Sequence, residues 1–184
     1  MLETYRSART RHAGARLEAY AATYTDATPR VGTALRLADI DRRALDAWRT
    51  TWRGRCHPSG VGGWSWPELV YNYRRRAAVL PLAIWYAGDL CGLALGYASR
   101  HRMVGARHTI TLSYVERRPE PPRVPLHGFV IPLAVAAARN YGLAVGASRL
   151  RLAYPDRNLL GYYAALGFAV AWEGGRAVYC EQEI

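Results

Sequence analysis

Lysine is missing from this chain of 184 residues, so all 25 positive side chains are arginine. That excludes a lysine general base, a Schiff-base lysine and a phosphate-loop lysine, because the guanidinium keeps its proton at any working pH. Cysteine is scarce: Cys56, Cys91 and Cys180 are odd in number and widely spaced, with no CxxC pair and no histidine cluster beside them. A disulfide framework and a structural zinc are both argued against, and no metal is expected. Long apolar runs are absent too, since Arg, Gly or Pro interrupts each before the roughly 20 residues of a membrane span. Arg6, Arg9, Arg11 and Arg16 crowd the N-terminus, but no apolar core of signal type follows them. The expectation is a cytoplasmic protein with no membrane partner. Acidic residues are few, 14 in all, which leaves a net charge of +11. A GC-rich coding bias accounts for arginine in place of lysine. The charge itself favours a polyanion or an acidic small molecule through long-range attraction, without choosing between them. Nucleic acid is the less favoured partner: the arginines are spread along the chain, and no basic motif with interleaved aromatics occurs.

What is present suffices for one domain with a real core, with 51% hydrophobic residues, 13 Tyr and 6 Trp. Leu2, Tyr5, Arg9, Ala13, Leu17, Tyr20 and Tyr24 recur at helical spacing and predict an amphipathic helix over 2–24, ended by Thr28 and Pro29. A short strand over 33–37 follows. Asp39 or Asp41 then caps a helix with the stripe Ile40, Ala44, Trp48 and Trp52. Ser65 and Glu68 have the spacing of a capping box at the start of the next helix.

Strands come next. Residues 79–87 and 90–99 flank Gly88-Asp89, a two-residue hairpin signal, and Pro81 implies an unpaired edge near the start of the first. Residues 109–115 alternate, with Ile110, Leu112 and Tyr114 on one face. After a proline-rich loop, the Ala-rich segment 129–138 reads as a buried helix ending at Gly142. A strand over 148–154, a helix capped by Asp156 or Asn158, and a hairpin across Gly174-Gly175 complete the order. Antiparallel runs with helical crossovers imply an α+β mixed sheet rather than a doubly wound one.

Tyr163-Ala164-Ala165-Leu166-Gly167-Phe168 resembles the Tyr-x-x-Leu-Gly-Phe signature of the GNAT (GCN5-related N-acetyltransferase) superfamily, and a two-glycine hairpin follows it as in that family. The 79–99 hairpin with Gly92 and the 32–53 strand and helix resemble the family's opening elements. The resemblance implies residues 31–184 as a GNAT-like acyltransferase domain behind a helical extension over 1–30. It also implies transfer of an acetyl group from acetyl-CoA to the primary amine of a small molecule or peptide, with a homodimer left open. The alternative is a catalytically silent GNAT-like module that binds coenzyme A or a protein partner.

The resemblance carries residue by residue. Tyr163 matches the tyrosine near the coenzyme A sulfur and is the candidate acid, with Tyr162 as fallback; a phenol suits the role because it donates and has an ordinary pKa of about 10. Arg123, Leu126, His127 and Gly128 fall on the pyrophosphate loop, with Leu126 where the family has glycine and Pro125 removing a backbone donor. Tyr114 and Val115 fall on the strand beside the pantetheine arm. Asp156 or Asn158 occupies the position of the family's asparagine, although a helix cap explains either. Only a neutral amine attacks, so a base is needed. Glu116 is the first candidate, and His108, on the same face by alternation, the second; an ion pair with a neighbouring arginine is the structural reading of Glu116. Trp64, Trp66 and Tyr73, with His57 and Tyr71, lie where the family recognises its acceptor. Such rings also serve packing in a small domain.

Overall fold

The computed structural model describes residues 2–55, 62–99, 108–119 and 125–184, the side chains of 2–5 excepted. Cys56, His57 and Arg123 fall outside the described residues. Helix α1 (Leu2–Val31) runs through Thr28 and Pro29, beyond the expected stop. It is followed by β1 (Leu35–Asp39), α2 (Arg42–Thr51) and α3 (Trp66–Tyr73). Asp41 caps α2, its side chain accepting from the Ala44 N–H at 2.9 Å. The capping box expected at α3 does not form. Ser65 makes no side-chain cap bond there, and Pro67 in the first turn needs no partner for a missing N–H.

Strands β2 (Val79–Tyr86), β3 (Asp89–Ser99) and β4 (Thr109–Arg117) form an antiparallel meander. Asp89 pairs with Tyr86, so the hairpin turns on Ala87 and Gly88, both at positive φ, one residue earlier than Gly88-Asp89. Pro81 sits just past the last pair with β1, Asp39↔Leu82. Its carbonyl accepts from the Ile40 N–H at 2.8 Å, and its missing N–H removes no ladder bond. Helix α4 (Val130–Ala144) crosses over to β5 (Arg149–Ala153), which lies parallel to β4. A 3₁₀ turn (Arg157–Leu159), α5 (Leu160–Ala165), β6 (Ala169–Glu173) and β7 (Arg176–Glu183) finish the chain. The strand order is β1-β2-β3-β4-β5-β7-β6 in one mixed sheet. Gly142 lies inside α4 rather than ending it. A Cβ there would come within 2.5 Å of Ile184, so the glycine serves close packing of the helix on the sheet.

Alternation along β2 and β3 divides the core. Leu80, Leu82, Ile84, Cys91 and Ala94 face α1 and α4, while Ala83, Trp85, Leu90, Leu93 and Leu95 face α2 and α3. Ala15, Ala19 and Tyr20 of α1 join the first layer. Cys91 and Cys180 are buried free thiols. No described helix is long and apolar enough to cross a membrane.

Candidate functional site

The sheet opens between β4 and β5. Their pairing runs from Thr109↔Arg149 to Leu112↔Leu152 and goes no further. β5 ends at Ala153, and Tyr154 turns away at φ +49°, a costly conformation for a bulky residue. β4 continues against β3 to Arg117↔Gly92. The β4 edge from Ser113 to Arg117 therefore has no strand partner on the β5 side, and its backbone N–H and C=O groups face a cleft. Two cavities follow that edge, one of about 410 Å³ and one of about 360 Å³. Val115, Ile131, Asp156 and Leu159 line both, which makes the cleft continuous.

A bulge sets which side chains enter it. On the β3 side Leu112 pairs with Gly96 and Tyr114 with Leu95, so Ser113 is an extra residue. The alternation expected over 109–115 holds only up to Leu112. Tyr114 and Glu116 share the face of Leu95 and Leu93, towards α3, whereas Val115 shares the face of Ala94, towards α4. The premise that placed His108 on the face of Glu116 fails for the same reason. His108 precedes the far end of β4, where its carbonyl accepts from the Ser148 N–H at 3.0 Å. Eight residues of extended chain, roughly 25 Å, separate it from Glu116. It does not join the cleft.

Tyr163 lines the larger cavity and Tyr162 the smaller, with ring centroids 6.1 Å apart. Tyr163 is buried, Tyr162 exposed. Burial, helped by the Asp156 carboxylate, pushes the Tyr163 hydroxyl up to about 12; a backbone hydrogen bond from Asp156 acts the other way. The phenol thus stays protonated and able to donate. Asp156 accepts from the Asn158 N–H at 2.9 Å and so caps the 3₁₀ turn while lining the cleft. Trp64 and Tyr114 form one wall, their rings 5.3 Å apart and nearly perpendicular; Tyr73 packs 6.3 Å from Tyr114.

Glu116 is buried beneath this wall. One carboxylate oxygen accepts from the Gly63 N–H at 2.7 Å, and the other accepts from the Trp66 indole N–H. Burial raises its pKa above the usual carboxylate value, and the two bonds only partly offset that. Gly62 stands at φ +108°, and a Cβ there would lie 2.8 Å from Glu116 Oε1. Trp66 is fully buried, so it supports the wall rather than lining it.

The other end of the cleft meets the start of α4. His127 and Gly128 line the smaller cavity, and Gly128 has φ +83° with open space where a Cβ would be. Leu126 points into the core, and its carbonyl accepts from the Phe129 N–H at 2.9 Å. The glycine position of the family motif is therefore filled by an apolar anchor. Val130 and Ile131 present first-turn N–H groups with no intrahelical acceptor, whereas Pro132 has none to offer. Arg117 lines the same end and supplies positive charge. Among the described residues no three His, Cys, Asp or Glu side chains converge as metal ligands would.

Sequence reasoning did not find Ser113, Gly62 or Tyr154. The pair Tyr154-Pro155 carried a faint signal, since a residue before proline is pushed away from helical backbone. An inserted strand residue leaves no mark in a period of two.

Comparisons with known proteins bear on the fold. No protein-family model matches the chain, and no curated protein matches it. Solved structures do. The ribosomal-protein-S18-alanine N-acetyltransferase of Escherichia coli superposes with a TM-score of 0.54 at 16% identity, covering 82% of this chain and 94% of that one. AtaT complexed with acetyl-methionyl-tRNAfMet gives 0.57 at 13% identity, over 81% and 94%. An acetyltransferase of Trypanosoma brucei gives 0.53 at 17% identity, over 77% and 97%.

Proposed function

Because the chain has the fold of the GNAT acetyltransferases, we propose that it transfers an acetyl group from acetyl-CoA to the primary amine of an acceptor. The observation that carries the reading is the unpaired β4 edge over Ser113 to Arg117, opening on a continuous cleft with a protonated phenol at one end and a helix start at the other. An extended pantetheine chain carries amides that can pair with such an edge as a further strand would. His127, Gly128, Arg117, Val130 and Ile131 line the cavity at the start of α4, and in this reading they hold the acetyl-CoA phosphates, where the positive end of the α4 dipole favours an anion.

The chain's own groups divide the chemistry. Amine attack on the thioester carbon forms a C–N bond and breaks the C–S bond, leaving a thiolate and an ammonium proton. Tyr163 donates a hydrogen bond to the developing thiolate. Its raised pKa, well above the roughly 8.5 of a free thiol, makes it a hydrogen-bond donor rather than a full acid. Glu116 takes the proton from the amine, and burial shifts its pKa in the direction a base requires. Trp64 and Tyr114 form the acceptor wall, with Tyr73 packed behind Tyr114 rather than lining the cleft.

A second reading, a module that binds without turnover, is favoured by Pro132 in the first turn and Leu126 turned into the core, which thin the phosphate cradle. Calorimetry with acetyl-CoA, followed by detection of free thiol over a panel of amines, separates the two. Saturable binding with amine-dependent thiol release is expected. Binding without release against every amine supports the silent module, and no binding at millimolar acetyl-CoA defeats both.

A further inference from the structure

Behind Tyr73, away from the transfer cleft, lies a further cavity of about 170 Å³ whose lining combines four arginines with apolar side chains such as Ile40, Val70 and Leu95. Arg9 and Arg16 reach it from α1, two helical turns apart on one face; Arg74 and Arg76 reach it from the segment after α3. One carboxylate, Asp39, lines it. Arg16 grips that carboxylate through Nε and Nη2, at 2.9 and 2.7 Å to its two oxygens, and donates to the Val79 carbonyl at 3.3 Å. Among the described residues Arg9, Arg74 and Arg76 form no ion pair. Three arginines without an ion pair thus line a space of a few water volumes, and among the described residues its one carboxylate, Asp39, is already held by Arg16.

Aromatic rings hold two of these arginines. Arg76 lies over the rings of Tyr73 and Tyr97, at 4.7 and 4.5 Å, and Arg74 lies over Tyr71 at 3.2 Å. A guanidinium held over a ring keeps N–H groups that can fork onto a phosphate. Tyr73 is the shared element. It lines the arginine cavity, and its ring packs on Tyr114, which lines the transfer cleft.

We propose that this pocket binds the phosphate monoester of the acceptor, with Tyr73 as the partition between that phosphate and the cleft in which the amine reacts. A monoester suits the site because it carries up to two negative charges near neutral pH against three unmatched arginines, and the space admits one such group. The acceptor half of the proposal rests on the acetyl-transfer reading; the phosphate site does not.

The test uses the whole protein at low ionic strength and titrates phenyl phosphate, methyl phenyl phosphate and phenol by calorimetry. Phenyl phosphate is expected to bind saturably and more tightly than the diester, with phenol weakest. The double variant Arg74→Ala/Arg76→Ala, both exposed positions, should bind it at least tenfold more weakly while melting like the wild type. Arg139→Ala, an exposed arginine of α4 outside the pocket, should change nothing. Equal affinity for phenyl phosphate and phenol, or an unaffected double variant, overturns the site. Preference for the diester overturns the monoester and points to a nucleic-acid backbone. Thiol release is then measured with ω-aminoalkyl phosphates of increasing length and their unphosphorylated parents. A lower KM for the phosphates that vanishes in the double variant supports the acceptor half. No such difference, or no turnover at all despite phosphate binding, overturns that half alone.

Discussion

Replacing Tyr163 by Phe removes one hydroxyl from the cleft and leaves the ring that packs beside Phe168 in the core. If that hydroxyl supports the departing thiolate, its interaction strengthens only as charge develops on sulfur, so kcat should fall and KM should move little. A hydrogen-bond donor positioned on developing negative charge contributes about 10²-fold, equivalent to about 2.7 kcal/mol of transition-state stabilisation. The structural cost is separate and smaller. The lost hydrogen bond to the Asp156 backbone is worth about 0.5–1.5 kcal/mol, or roughly 1–6 °C of melting temperature for a chain of this size. A domain with ordinary stability of about 5–15 kcal/mol stays folded after that loss, so inactivation could not be blamed on unfolding. The alkaline range offers a check on stability. Tyr163 is held at about 12 in the folded chain against 10 for a free phenol. The folded state keeps this proton to higher pH than the unfolded state does. The stabilisation from that difference is complete below pH 10 and is lost as pH rises towards 12. Tyr163→Phe should lack that alkaline decline. Thiol release under saturating acetyl-CoA, together with melting curves from pH 8 to 11, measures both effects. A variant that retains kcat within twofold refutes the assignment of Tyr163.

Two further perturbations follow from the same site. Glu116→Ala leaves the fully buried Trp66 indole N–H without its acceptor, at about 1–3 kcal/mol, while the exposed Gly63 N–H can turn to water, so its melting temperature should drop by roughly 2–12 °C. Because burial raises the Glu116 pKa, the wild-type contribution is complete below the unfolded carboxylate value and shrinks as pH rises through the folded one. The gap between the two proteins should therefore be wider at pH 4 than at pH 8, and a gap that widens with pH would contradict the burial argument. Gly96→Ala places a Cβ 2.7 Å from the Thr111 carbonyl oxygen, a backbone atom that cannot swing aside. A loss of about 1–3 kcal/mol in denaturant melts is expected, and an unchanged midpoint would show that β3 and β4 are not so closely apposed beside the bulge.

The legible part of this protein was whatever rests on local periodicity and turn chemistry. The order of helices and strands came from apolar spacing, and the hairpins came from Gly88-Asp89, to within a residue, and Gly174-Gly175. The helix carrying Tyr163 was found by its cap at Asp156 or Asn158, and Asp156 does cap the turn that leads into it. Contacts between distant segments were not legible. Ser65 and Glu68 have the spacing of a capping box, yet Ser65 caps nothing, because the segment before α3 is instead held by Glu116, some fifty residues away. Gly62 carries no distinguishing local signal, yet its positive φ and its closeness to Glu116, which accepts from the neighbouring Gly63 N–H, demand a glycine. Leu126 read as a defect in a phosphate loop. In the folded chain it fills core space that a glycine would leave empty.

Ser113 shows why the site could not be assembled from the strand pattern alone. Without an extra residue, β4 would keep one alternation from Thr109 to Arg117, and Tyr114 would point to the α4 side with Ile110 and Leu112. Glu116 would follow it, away from Trp66 and the Gly63 amide. One inserted residue reverses the facing of everything after it. It also increases local twist at the position where β4 and β5 stop pairing, next to Gly96, whose missing side chain lets β3 stay close to the bend. A single bulge therefore exposes the backbone edge of β4, places Val115 on the α4 side of the cleft, and brings Tyr114 and Glu116 to the opposite side where Trp64 and Tyr73 stand. The cleft depends on that break in a regular strand, so the part of the sheet that departs from its own periodicity is the part that can bind.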